Sequence, residues 1–170
     1  MSDEKVRGAV EIGPFGPSGS PLHSRIDRDL GDVLNHLIHL GHDLAGAYEY
    51  ALRHLDDLQL RRRLRALEGA HGRQLRELTE QVTALGQTPA HRGDLRALVE
   101  KGRVATARLK GDRAILSAMA TNEQTIHDAY VQALGLPGLP EPVRRVLEAA
   151  LADEAQHRAF YAKQLGRFVG

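Results

Sequence analysis

Leu151–Tyr161 reads L-A-D-E-A-Q-H-R-A-F-Y and sets Glu154 and His157 three residues apart in a stretch rich in helix formers. Residues at i and i+3 share one face of a helix, so this carboxylate and imidazole project the same way. The spacing recurs upstream, where R-A-L-E-G-A-H-G-R-Q-L (65–75) carries Glu68 and His71. Two Glu-x-x-His helices, joined by one inward Glu from each of two other helices, form the ligand set of a di-metal carboxylate bundle. The rest of the chain can be read for the helices that would supply those two glutamates.

A helical pattern runs from about Arg25 to Leu55, with Ser24 expected as its N-cap. Its apolar positions, Leu30, Val33, Leu34, Leu37, Ile38, Leu44, Ala45, Tyr48 and Leu52, fall at three- and four-residue intervals, and Glu49 continues that face. Gly31, Gly41 and Gly46 weaken it locally. After Asp56-Asp57, a second helix spans about Leu58 to Leu85. Its seam of Leu60, Leu64, Leu67, His71, Leu75, Leu78 and Val82 has a histidine set into it. Gly86-Gln-Thr-Pro89 ends that helix, and a weaker helical stretch follows at about 93–109. Asp112 is expected to cap a third helix, Arg113 to Leu134, whose inward positions are Ile115, Leu116, Met119, Glu123, Ile126, Tyr130 and Ala133. G-L-P-G-L-P-E-P (135–142) breaks the chain again. The last helix runs from about Glu141 to Phe168, with Val146, Leu147, Ala150, Leu151, Glu154, His157, Tyr161 and Leu165 in register.

Short turns join helices 1–2 and 3–4, making each pair antiparallel, whereas about 26 residues separate helices 2 and 3. The expected fold is therefore an all-α, antiparallel four-helix bundle, up-down-down-up, with one long crossover between helices 2 and 3. Residues 1–22 are expected to form a flexible Gly/Pro-rich N-terminal tail, because G-P-F-G-P-S-G-S-P holds three Gly and three Pro in nine residues. Residues 23–170 are expected to form the bundle. Glu49 lies about seven residues before the first turn and Glu68 about eleven after it. At ~1.5 Å per residue these two share a level to within a turn or so, and Glu123 and Glu154 level likewise.

Glu49, Glu68, His71, Glu123, Glu154 and His157 thus make the candidate metal set. Four carboxylates match two divalent ions in charge, and each metal gains one imidazole. Against this stands the bland reading of ordinary surface Glu and His on amphipathic helices. Two copies of the motif on apolar faces, with a Glu at matching height on each remaining helix, favour the metal site. No catalytic residue beyond the ligands is singled out. His127, four residues after Glu123, is a candidate additional ligand or a partner of one. His36, His39 and His42 form a row on helix 1, read as an accessory metal path or, more simply, as half-exposed structural residues. Tyr48, Tyr130 and Tyr161 should lie near the centre, either bonding carboxylate ligands or packing as core. Met119 reads as core before it reads as a haem ligand.

The chain's 170 residues suffice for one domain with a core, and 42% hydrophobic with 26% charged content fits a globular chain. Cysteine and Trp are absent, which excludes disulfides, thiolate nucleophiles and an iron–sulfur centre within this chain. A net charge of +1 gives no global field for nucleic acid, which is not expected as a partner. Arg61, Arg62, Arg63, Arg65, Arg73 and Arg76 read as a solvated face rather than a DNA-protecting patch. No apolar run reaches the roughly 20 residues that span a bilayer, and the polar N-terminus is unlike a secretory signal. No membrane association and a cytoplasmic location are the expectations.

The stretches A-Y-E-Y-A-L (47–52), L-E-G-A-H (67–71), A-T-N-E-Q-T-I-H-D-A-Y (120–130) and A-D-E-A-Q-H (152–157) resemble the ferritin-like superfamily, over about residues 28 to 166. Within it the likeness is to bacterial stand-alone ferritin-like domains of unassigned activity. The resemblance implies Glu49 and Glu123 as single-Glu ligands and two iron ions as cofactor, with manganese or zinc as alternatives. It also implies O2 or peroxide as reactant and a homodimer as assembly. The spacing of Glu49 and Glu68 is shorter than in cage-forming ferritins, which argues against a storage cage. The expected activity is a ferroxidase or peroxide-consuming oxidoreductase in iron handling or oxidative stress. The alternative is a non-catalytic bundle, metal-stabilised or metal-free, acting in assembly or partner binding.

Overall fold

Asp57 starts the second helix through its own side chain. Its Oδ1 accepts from the backbone N–H groups of Gln59 (2.6 Å) and Leu60 (3.1 Å), two of the donors that a helix start leaves unpaired. The computed structural model describes residues 21–91 and 111–168. Within them are four helices and no strand: α1 (Pro21–His54), α2 (Leu58–Ala84), α3 (Asp112–Leu134) and α4 (Glu141–Gly166). α1 is already helical at Pro21, ahead of the expected Ser24 cap. Residues 1–20 of the expected tail and the expected stretch at 93–109 lie outside the described residues.

Helix ends fix the topology. α2 closes with Gly86 at φ 72°, its N–H bonded to the Thr83 carbonyl (2.9 Å) and that of Gln87 to Val82 (3.1 Å). The Gln87 side chain then donates to the Asp27 carbonyl (2.8 Å). Asn35 donates to Thr88 (3.1 Å) and accepts from the N–H of Ala90 (2.7 Å). The exit of α2 is thereby tied to the beginning of α1, as antiparallel neighbours require. A Cβ at Gly31 would overlap the Gln87 amide, which explains a glycine inside α1.

At the opposite end Asp112 does something other than expected. It is the first residue of α3 rather than its cap, and Gly111 (φ 79°) takes the cap position without a side-chain bond. The Asp112 carboxylate instead accepts from the N–H groups of Asp56 (2.9 Å) and Asp57 (3.0 Å), pinning the α1–α2 turn to the start of α3. The α3–α4 turn, Leu136–Leu139, lies back against Asp29, Leu30 and Val33. The helices therefore run up, down, down and up, and α3 begins at the end opposite to the one where α2 finishes. α1 packs on α2 and α3, and α4 on α3 and α2. This is the expected all-α four-helix bundle.

The core follows the apolar stripes, with Leu34, Ile38, Leu64, Leu116, Met119 and Leu147 shut off from solvent. Every inward position expected on α3 is buried. On α1 the stripe runs through Leu44, Tyr48, Ala51 and Leu55, while Ala45, Glu49 and Leu52 are half-buried on its flank. Neighbouring residues on a helix point about 100° apart, so a core that takes Tyr48 turns Glu49 aside. α2 shows the same effect. Gln74 and Ala70 are buried, whereas Leu75 and Glu68 are half-buried, so the stripe tilts toward the Gln74 side of His71.

Candidate metal centre

Three helices bring ligand-type side chains to one buried point. α2 contributes His71, α3 contributes Glu123, and α4 contributes Glu154 and His157 from successive turns. One ligand atom from each lies within 4.8 Å of the others. The two glutamates are 0% exposed and the two histidines 2% and 3%, which is unusual for carboxylates without a cationic partner.

Glu123 is fully engaged. Its Oε1 accepts from the Tyr48 hydroxyl (2.5 Å) and His71 Nε2 (3.0 Å), and its Oε2 faces His157 Nδ1 (3.3 Å). Behind Tyr48, the Tyr161 hydroxyl donates to the Tyr48 oxygen (3.0 Å), so a chain of two phenols ends on the carboxylate. The other nitrogen of His71, Nδ1, faces Gln74 Oε1 at 3.1 Å and Glu154 Oε1 at 3.5 Å. His157 Nδ1 lies 3.8 Å from Glu154 Oε1, and the two imidazole rings meet edge to face at 4.7 Å.

Glu154 has the opposite environment. Neither of its oxygens has a hydrogen-bond partner among the described residues, and Gln74 Nε2 beside the cluster also lacks one. A buried carboxylate left in this way costs several kcal/mol unless it is neutralised, by about the margins that separate folded from unfolded. The electrostatics divide the pair. Burial alone would raise the Glu123 carboxyl, but bonds from His157, His71 and Tyr48 hold it well below the usual carboxylate range. Burial, and then the Glu123 charge, push Glu154 up to about 9. Burial also raises the Tyr48 and Tyr161 phenols, which stay neutral donors.

The donor set fits a divalent transition ion. Two imidazoles and two carboxylates are nitrogen and oxygen ligands of intermediate hardness, their charge matches one such ion, and the orphaned Glu154 oxygens supply an unfilled demand for positive charge. A buried His/Glu group that could hold a metal is thus present.

Of the six residues expected as ligands, His71, Glu123, Glu154 and His157 come together. Glu49 and Glu68 are half-buried and lie outside that group. His127 is half-buried, with its Nε2 accepting from Arg158 Nη1 at 3.0 Å, and it too lies outside the group. His36 is exposed, His39 and His42 are half-buried, and Met119 is core. Gln74 is the residue that the sequence reading missed. Its signal was its place three residues after His71 and four before Leu78, the interval of the seam itself.

Residues 29–135, more than half of the chain's 170, match the family described as "Domain of unknown function (DUF2383)". Tyr48, His71, Gln74 and Glu123 fall inside the matched stretch, while Glu154, His157 and Tyr161 follow it. No curated protein matches the chain. By the extent of that match, the chain belongs to the family of DUF2383 domains.

Proposed function

We propose that the protein binds a divalent metal ion at the centre of its bundle through His71, Glu123, Glu154 and His157, and that the ion is iron. One observation carries this reading: Glu154, fully buried, has two oxygens without a hydrogen-bond partner among the described residues, facing two imidazoles and a second carboxylate. Nitrogen and carboxylate donors without thiolate suit iron(II), with manganese and zinc as the competing ions.

Bound iron would supply one-electron chemistry toward O2 or peroxide, the basis of a ferroxidase or peroxide-consuming activity in iron handling or oxidative stress. The chain's own residues do the rest. Glu154, whose carboxyl burial and the Glu123 charge push up in the metal-free fold, would hold the cation as a carboxylate, Glu123 is held ionised by its donors, and the Tyr48–Tyr161 pair fixes its orientation. Leu64, Leu116, Met119 and Leu147, all without exposure, make the surrounding core apolar. The four-helix, up-down-down-up arrangement around a His/Glu centre supports placing the chain with the ferritin-like superfamily. A bacterial origin, a cytoplasmic location and a homodimer belong to the same proposal. No helix among the described residues is long and apolar enough to cross a membrane.

The competing reading is a metal-stabilised bundle without turnover. Anaerobic loading with Fe(II), removal of unbound metal, and admission of O2 separate the readings. Iron oxidation by the wild type, lost in His157→Ala, supports redox chemistry. Binding without oxidation supports the structural role, and no binding defeats both.

A further inference from the structure

We infer that the cleft at one end of the bundle, between the start of α2 and the end of α4, binds a phosphate group through Arg63, Lys163 and Arg167. This site is independent of the metal centre. Lys163 and Arg167 follow His157 by six and ten residues on the α4 side, roughly 9–15 Å along the helix axis at ~1.5 Å per residue.

The cleft encloses about 240 Å³, and its lining includes Asp57, Arg63, Phe160, Lys163 and Arg167. Lys163 and Arg167 stand four residues apart and share a face, where like charges repel, and Arg63 meets them from α2. Among the described residues none of the three enters an ion pair, whereas Arg73 of α2 pairs with Asp153 and Arg145 of α4 with Glu141. Arg167 places one N–H on Gln164 Oε1 (3.2 Å). The single carboxylate of the lining, Asp57, is committed to the backbone N–H groups of Gln59 and Leu60. Those bonds also occupy donors of the α2 start, so an anion in the cleft is held by side chains and not by the helix end.

Helix stability alone does not account for these charges. α2 has no acidic residue in its first turn and carries Arg61, Arg62 and Arg63 within its first two, at the end where the helix dipole disfavours cations. The whole chain has a net charge of only +1, so the surplus is local. Three cations against one carboxylate leave the cleft two positive charges in excess. A phosphate monoester, at about −1.5 to −2 near pH 7, balances them, and a lone carboxylate would balance half. Guanidinium N–H groups pair with phosphate oxygens two at a time, and the Lys163 ammonium adds a point charge. Pockets that enclose a whole small-molecule ligand run to about 300–1,000 Å³, so this one takes the phosphate and leaves the rest of its bearer outside. There Leu58 and Phe168, next in sequence to Asp57 and Arg167, are exposed.

The test is a 1H–15N NMR titration of the full chain with inorganic phosphate at constant ionic strength. Saturable shifts are expected at the amides of residues 59–63 and 163–167. The affinity they report should fall about tenfold or more in Arg63→Gln/Lys163→Gln, and by less than about twofold in Arg145→Gln, which removes a cation of α4 outside the cleft. All three side chains are exposed, so the substitutions leave the core intact. Co-sedimentation with phosphatidylcholine vesicles carrying phosphatidic acid, whose headgroup is a phosphate monoester, separates the sources. Vesicle binding that is lost in the double variant assigns the cleft to a lipid headgroup, and phosphate shifts without vesicle binding assign it to a soluble phosphate. Neither saturable shifts nor vesicle binding would overturn the inference. So would shifts centred on His71 and Glu123 instead of the cleft, or an affinity for either ligand that is equal in the wild type and the double variant.

Discussion

Replacing Glu154 by Gln should stabilise the protein without metal and destabilise it relative to the wild type with metal, a reversal of sign at one buried position. The Glu154 carboxyl, ordinarily near 4.5, is pushed up to about 9 in the fold by burial and by the Glu123 charge. Between those values the folded chain holds a proton that the unfolded chain has released. Stability of the metal-free protein therefore falls as pH rises through the window from about 4.5 to about 9, by at most ~1.4 kcal/mol per pH unit. The amide has no such proton to lose. After about 1 kcal/mol is set against it for a buried amide with incomplete hydrogen bonding, metal-free Glu154→Gln should exceed the wild type by about 2–4 kcal/mol at pH 8. Metal reverses the order once the ion stands at a thousand times its Kd, where it stabilises the wild type by about 4.1 kcal/mol, and the variant has lost a ligand. Urea unfolding followed by circular dichroism at pH 6 and pH 8, with EDTA or with excess zinc, reads both effects. Parallel pH profiles for the two proteins, or equal stabilisation by zinc, would refute the reasoning.

Other consequences follow from the same contacts. His71→Ala and His157→Ala should each lower metal affinity by more than tenfold in a zinc competition titration, whereas Glu49→Gln and Glu68→Gln, outside the buried group, should change it by less than about threefold. Asp112→Ala removes two bonds to backbone N–H groups of the α1–α2 turn and should cost about 1–3 kcal/mol in chemical denaturation, with metal stoichiometry unchanged. Gly31→Ala would drive the Gln87 amide from its bond to Asp27, at a cost of about 1–3 kcal/mol. The double variant Gly31→Ala/Gln87→Ala should recover part of that loss.

The sequence carries the fold because its periodicity is long and its breakers are strong. Four stripes at three- and four-residue spacing, cut at Asp56-Asp57, Gly86 and the 135–142 run, leave an all-α bundle as the economical arrangement, and two short turns with one long connection set its direction changes. The centre was legible where charge and periodicity agreed. Glu154 and His157 fall on a stripe that includes Leu147, Ala150 and Tyr161, and Glu123 lies between Met119 and Ile126; one rotation of α3 buries every position expected of it, and one rotation of α4 buries that stripe while Val146, Leu151 and Leu165 are half-buried. Glu49 and Glu68 were different. Each stands beside a stripe that is apolar over more than half a turn, so the sequence admits two rotations some 60–100° apart. Chemistry favoured the rotation that turns a carboxylate inward, whereas packing takes Tyr48 and Gln74. A large aromatic that fills the core and bonds a carboxylate outweighs a second carboxylate that would have to be buried. Asp112 shows the same limit at a turn. Local sequence marks it as a cap, but its partners lie in a turn more than fifty residues away.

The most direct test of the central claim is the metal content of the purified chain after anaerobic Fe(II) loading and desalting, measured by elemental mass spectrometry beside the folded double variant His71→Ala/His157→Ala. One iron per wild-type chain, absent from the double variant, is the predicted result. No stoichiometric iron in the wild type, or the same content in both proteins, would contradict a metal centre at His71, Glu123, Glu154 and His157.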